Sequence, residues 1–187
     1  MLASPSRTIL DSIKDREFAY LLSATRLKIL QNISKTDSGS IHLEAMNQGD
    51  VIELPRWVAE VLISEGLAES QEESFASEVF KAVNREKMAG ENQIAGLRSD
   101  FYLRVRRHLV FSKEMSEHKP SLSGELEKTK SLIYDLIALR LRKILLVSSA
   151  LSAPTDIKEK LTPEEILIFD AISGMLQSWR SVILEGR

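Results

Sequence analysis

The sequence predicts an α+β fold, mostly α: a small N-terminal β-rich module followed by a helical bundle domain. Three observations predict it. Apolar residues alternate at period two in short stretches before Pro55, and recur at three- and four-residue steps almost throughout after Glu72. Aromatics make up only 6% of the 187 residues, while Leu and Ile abound. A polar run without an apolar anchor, Glu69-Ser70-Gln71-Glu72-Glu73-Ser74, separates the two patterns and reads as a linker. The expected division is residues 1–70 and 71–187.

The elements follow in order. Ile9, Leu10, Ile13, Leu21 and Leu22 suggest a short first helix. Leu27 and Ile29 flank Lys28 in a strand pattern. Beyond the turn-prone Ser34–Gly39, Ile41, Leu43 and Ala45 share one face, with His42 and Glu44 on the other. Asn47-Gln48-Gly49-Asp50 is a turn, because Gly49 takes a positive φ without steric cost. Val51–Leu54 is a further strand. A helix starts at Pro55, whose missing N–H costs nothing in a first turn, and stops at Gly66. Leu54, Pro55, Trp57 and Leu62 are the expected core of this module, with Trp57 its largest filler. So small a module is marginal alone.

Four helices are expected next, over about 72–88, 91–113, 124–151 and 163–184. The last has the clearest start. Thr162 caps it, Pro163 sits in the first turn, and Glu165 completes a capping box. Glu164 and Glu165 also complement the positive end of the helix dipole. On the last two helices apolar residues cover more than one stripe: Leu139 and Leu141 flank Arg140, and Ile166–Phe169 is a continuous apolar run. A helix apolar on several faces needs cover on several sides. Either a partner subunit or the β module supplies it. The residues expected at a subunit contact are Leu132, Leu136, Leu139, Ile168, Ile172 and Trp179.

Composition excludes much chemistry. Without Cys there is no disulfide, thiolate-held zinc, iron–sulfur cluster or cysteine nucleophile. The three His (His42, His108, His118) stand apart, and none has a second ligand at metal spacing. No GxGxxG or phosphate loop occurs. We therefore expect no enzyme, no cofactor and no metal. No apolar stretch approaches the roughly 20 residues of a membrane span, so no membrane partner is expected. A net charge of −2 gives no general attraction to nucleic acid. Arg104, Arg106 and Arg107, with Arg98 and Lys113 nearby, form the one candidate for a weak nucleic-acid or partner contact. Three phosphate contacts would give a salt slope of only about −2.7. Otherwise this is a solvated face with ion pairs; Arg140, Arg142 and Lys143 are read in the same two ways, with interface ion pairs as a further alternative.

The segment Gly49-Asp50-Val51-Ile52-Glu53-Leu54-Pro55-Arg56-Trp57-Val58-Ala59-Glu60-Val61-Leu62, closing near Gly66, resembles the small β module of GINS subunits. The helical region, with Leu161-Thr162-Pro163-Glu164-Glu165 opening an apolar final helix, resembles the GINS helical domain. Together the resemblance spans roughly residues 25–187; the first 25 residues do not align with it. Having the β module first is the order of one archaeal subunit class, and the second class has the reverse. The resemblance implies a non-catalytic scaffold that pairs with the second GINS subunit class in a tetramer. The tetramer would assemble with and stimulate the MCM replicative helicase, bridging it to a RecJ-like phosphoesterase homologue. It implies a cytoplasmic protein, nucleoid-associated at the replication fork, without sequence-specific nucleic-acid contact of its own. The rival reading is a DNA-binding transcription regulator with a helical dimerisation domain. That would need a recognition helix, for which Arg98–Arg107 is the candidate.

Overall fold

The computed structural model describes residues 5–38, 41–118, 123–150 and 156–186. The expectations for the turn at Gly39, for the side chains of Ile41, His42, Leu43 and His118, and for Leu151 lie outside the described residues. The fold is α+β and mostly α. The chain divides into two compact units, Ile13–Ser74 and Met1–Ser12 with Phe75–Arg187.

Helix α1 runs Pro5–Leu22, and strand β1, Ala24–Ile29, follows it. β1 is the centre of a three-stranded antiparallel sheet, between β4 (Val51–Pro55) and β5 (Ala68–Ser70). Thr25, Leu27 and Ile29 are buried while Arg26 and Lys28 face out, the alternation a one-sided sheet requires. The register is set by Leu27 opposite Ile52 and Ile29 opposite Ala68. Between β1 and β4, a second ladder pairs β2 (Thr36–Ser38) with β3 (Ile41–Leu43), and an isolated bridge joins Ile33 to Met46. The Asn47–Asp50 turn uses Gly49 at φ 93°, and the Asn47 N–H donates to Asp50 Oδ2 at 2.8 Å.

Helix α2, Arg56–Ser64, packs Val58, Ala59 and Leu62 onto Leu27, Ile29, Met46 and Ala68. Three expectations need correcting. Pro55 ends β4 and caps α2 rather than opening the helix. Trp57 is not core filler: it is 37% exposed, because the inner face of α2 is taken by Val58, Ala59 and Leu62 and each step along a helix turns about 100°. Leu54 and Pro55 are half-buried, Leu54 against the core, and Leu62 is buried. The supposed linker is also partly structure, since β5 ends inside it.

Glu72 explains where that polar run is pinned. Its carboxylate accepts Thr25 Oγ1 at 2.9 Å and both Arg56 terminal nitrogens at 3.0 and 3.1 Å. Burial disfavours the Arg56 charge, but the Glu72 hydrogen bond and the charges of Tyr20, Glu72 and Glu60 together outweigh it and the pKa rises. The next helix, α3, therefore begins at Phe75, not Glu72, and runs to Met88.

α4 (Phe101–His118), α5 (Ser123–Ser149), α6 (Ile157–Lys160) and α7 (Pro163–Glu185) complete the second unit. α5 is central and packs against α3, α4 and α7. α4 starts ten residues later than expected. Residues 91–100 form an irregular segment with turns at both ends, and Ile94 enters the core from it. Two apolar clusters result. One joins Val79, Val83, Phe101, Val105, Ile133 and Leu136; the other joins Ile94, Ile144, Val147, Ile157, Leu161 and Phe169.

The capping box stands as read. The Glu165 N–H donates to Thr162 Oγ1 at 3.3 Å, and the Thr162 N–H donates to Glu165 Oε2 at 3.0 Å. Thr162 is fully buried, so no water replaces its hydroxyl. Thr162→Ala should cost about 1–2 kcal/mol, read as a lowered urea midpoint. An unchanged midpoint would show that the cap does not hold α7.

Candidate subunit-association surface

Two features of the helical unit bear on function: a charged cluster in its interior and apolar faces that its own chain leaves open. The interior cluster centres on Arg140, on α5, which is 0% exposed. Its Nε and Nη2 donate to the two oxygens of Glu165 at 2.5 and 2.7 Å. Its Nη1 donates to Glu86 Oε2 at 2.8 Å and to the Ala95 carbonyl at 2.7 Å, and Nη2 also reaches the Lys160 carbonyl at 3.2 Å. The Tyr102 hydroxyl donates to Glu165 Oε1 at 2.8 Å. Lys143 Nζ lies 2.9 Å from Glu86 Oε1 and donates to the carbonyls of Glu86 and Ala89.

Two cations thus meet two carboxylates, and the cluster balances in charge. Burial works against the Arg140 charge, but the hydrogen bond and charge of Glu165, with Glu86 behind it, raise its pKa. Burial and the neighbouring Glu165 charge push the Tyr102 phenol far up, so it stays a donor. Paired in this way, the cluster ties α3, α4, α5 and α7 together. The expectation that Arg140 and Lys143 belong to a solvated face is overturned, since both are buried; Arg142 remains exposed. Glu165 was legible as a cap but not as a partner of Arg140. The signal for Glu86 was its place one turn beyond Val79, Ala82 and Val83 on the buried stripe of α3.

The open faces lie on α5 and α7. On α5, Tyr134, Ile137, Leu141 and Leu145 recur at three- and four-residue steps and are all exposed. On α7, burial falls along the helix. Phe169 is buried, Ile168 and Ile172 are half-buried, and Met175, Trp179 and Val182 are exposed at 73%, 60% and 57%. Arg180 donates to the Ser149 carbonyl, which fastens this outer part of α7 to the end of α5. Apolar side chains recurring at helical spacing along two packed helices are more than scattered surface residues, and such faces are candidates for association.

The expected contact residues divide. Leu136 is removed from the list: it is fully buried in the first core cluster and has no surface to offer a partner. Leu132 is half-buried against the same cluster, and Leu139, Ile168 and Ile172 are half-buried. Trp179 stands out in solvent. Tyr134, Ile137, Leu141, Leu145, Met175 and Val182 are the additional exposed members.

The basic cluster divides between paired and exposed cations. Arg104 is mostly buried and ion-paired with Glu78 at 2.5 Å, with its guanidinium over the Phe75 ring. Arg98 lies before α4 and pairs with Asp100. Arg107 is half-buried, and Arg106 is exposed. His108 stacks on Phe75 with ring centres 5.0 Å apart, and burial lowers its pKa. Of the Arg98–Arg107 stretch that the regulator reading needs as a recognition helix, residues 101–107 are helical and form the start of α4. Among the described residues no group of three His, Cys, Asp or Glu is placed to hold a metal, and no helix is long and apolar enough to cross a membrane.

No curated protein matches the chain. Residues 69–184 match the family described as Sld5, GINS complex protein helical bundle domain. That span begins in β5, takes in the whole of α3 to α6 and reaches the last turn of α7, so it contains both the buried cluster and the open faces. The chain belongs to the GINS family, and its place is in the GINS complex of DNA replication.

Proposed function

We propose that this chain is a non-catalytic scaffold that joins the second GINS subunit class through the open faces of α5 and α7, forming a tetramer. The observation that supports it is the run of exposed apolar side chains, from Tyr134 to Leu145 and from Met175 to Val182, on two helices already fixed to each other. Covering each large side chain is worth roughly 1.5–3 kcal/mol, and a few suffice for a stable interface. Trp179 is the natural anchor, with Leu132, Leu139, Ile168 and Ile172 as the half-covered margin. In this reading residues 71–187 serve assembly and the β-rich module is an accessory.

The assembly then connects the MCM helicase to a RecJ-like phosphoesterase homologue and stimulates unwinding. Its work is at the fork, with DNA reached through the helicase. The ion-paired state of Arg104 and Arg98 supports that indirect contact.

Co-expression with a GINS chain of the reverse unit order, followed by light scattering, tests the reading. A complex of about twice two chains is expected. Leu141→Asp and Val182→Asp should each lower its affinity by about tenfold or more, since an ionised carboxylate cannot be buried unpaired. Complex formation indifferent to both substitutions would remove these faces from the interface. A chain that stays monomeric beside the second class would remove the scaffold reading itself.

A further inference from the structure

Helix α2 leaves a separate apolar stripe open, in the unit Ile13–Ser74. Trp57 and Val61 are four residues apart, so they stand one above the other on the outer side of the helix, 37% and 55% exposed. Exposed apolar residues taken singly are ordinary. What sets this pair apart is the charge around it. Residues 44–73 contain eight Asp or Glu and a single Lys or Arg. The single cation of that stretch, Arg56, is held by Glu72 in a two-pronged ion pair, and Glu44, Glu53 and Glu69 pair with Lys35, Arg26 and Lys28 from outside it. Across residues 13–74 there are eleven acids and six bases, a net charge of −5. The rest of the chain has sixteen acids and nineteen bases, a net charge of +3. The near-neutral total conceals a strongly acidic unit.

We propose that the Trp57–Val61 face of α2 is a docking surface for a basic amphipathic segment of another protein. One or two large apolar side chains of the segment seat against Trp57 and Val61. Its Lys and Arg meet the surrounding carboxylates, among them the exposed Glu65 at the end of the helix. The acidic field draws such a segment in and repels polyanions, so nucleic acid and acidic lipid are poor occupants. The apolar pair then selects an amphipathic cation over a plain one. This surface belongs to α2, not to α5 or α7, so it stands or falls apart from the assembly reading.

The chain has two Trp, so Trp179→Phe leaves Trp57 as the sole reporter. That full-length variant is titrated with an amphipathic Leu–Lys peptide of about 18 residues, with oligolysine and a Leu–Glu peptide of equal length as controls. Only the Leu–Lys peptide should shift Trp57 emission to the blue, and added salt should weaken it. Val61→Asp is the decisive variant. It makes the surface more acidic, so binding by charge alone would tighten, whereas the proposed face predicts roughly tenfold weaker binding. Glu65→Lys should weaken binding as well. Val61 is exposed, so both variants should keep the parent melting temperature; if Val61→Asp does not, Val61→Ser takes its place. Equal binding of oligolysine, equal binding of Leu–Glu, or unchanged affinity in the Val61 variant overturns the proposal. So does concentration-dependent self-association of the chain that the same variant abolishes, because the occupant is then a second copy.

Discussion

Arg140→Ala should destabilise the helical unit by about 3–5 kcal/mol, the characteristic cost of removing one partner from a buried ion pair. The reason lies in what stays behind. Glu165 loses two donors and Glu86 loses one, and both side chains are at most 3% exposed. Water that enters the space left by the guanidinium cannot supply its positive charge, so Glu165 stays buried without its counter-ion. Two backbone carbonyls, of Ala95 and Lys160, lose their donor as well. Urea unfolding followed by helical circular dichroism would show a much lower midpoint. Arg140→Lys should recover only part of the loss, because an ammonium cannot make the two parallel bonds to Glu165. If Arg140→Ala melts like the parent, the cluster does not hold the bundle together.

A second large effect separates interior from surface on the same two helices. Leu136→Ala should cost about 2–5 kcal/mol, because Leu136 is fully buried among Val79, Val83, Phe101 and Ile133 and its removal leaves a cavity. Trp179→Ala removes a larger side chain yet should change the stability of the lone chain by less than about 0.5 kcal/mol, since Trp179 is 60% exposed. In the complex the order reverses in meaning: Trp179→Ala should cost association, at about 2 kcal/mol or more for a hot-spot Trp. Chemical denaturation of the lone chain and titration with the second subunit read the two quantities separately. A Trp179→Ala chain that loses stability but binds its partner normally would place Trp179 inside its own fold.

The parts of this fold that were legible in the sequence are those whose cause is local. The capping box needs only Thr162 and Glu165, three residues apart, and it forms. The β1 alternation needs only Leu27 and Ile29 about Lys28, and it forms. The buried cluster was hidden because its members are remote: Arg140 is 54 residues from Glu86 and 25 from Glu165. A charged residue between Leu139 and Leu141 looks the same in sequence whether it turns outward or finds a carboxylate inside. The late start of α4 was hidden for a related reason. Ile94 and Leu97 have helical spacing, yet an irregular segment delivers Ile94 to the core equally well. Strand β5 is three residues long with one buried side chain, Ala68, too little to show a period. Trp57 was misjudged because size suggests a core place, whereas position on α2 decides it. The open faces of α5 and α7 were foreshadowed by their surplus of apolar residues, but which of those residues face outward depends on packing that only the folded unit supplies.

The falling burial along α7 has one more consequence. The first turns of this helix are nailed down by the capping box, the Arg140 bonds and Phe169. From Ser173 to Glu185 the helix runs on for about 20 Å with few apolar contacts to its own chain. A free helix of that length is marginal in water. What holds its outer turns to their own chain is the Arg180 bond to the end of α5, while Met175, Trp179 and Val182 stay exposed. If the proposed subunit contact forms there, it would stiffen that stretch, so the lone chain and the assembled chain would differ in entropy there even where their coordinates agree.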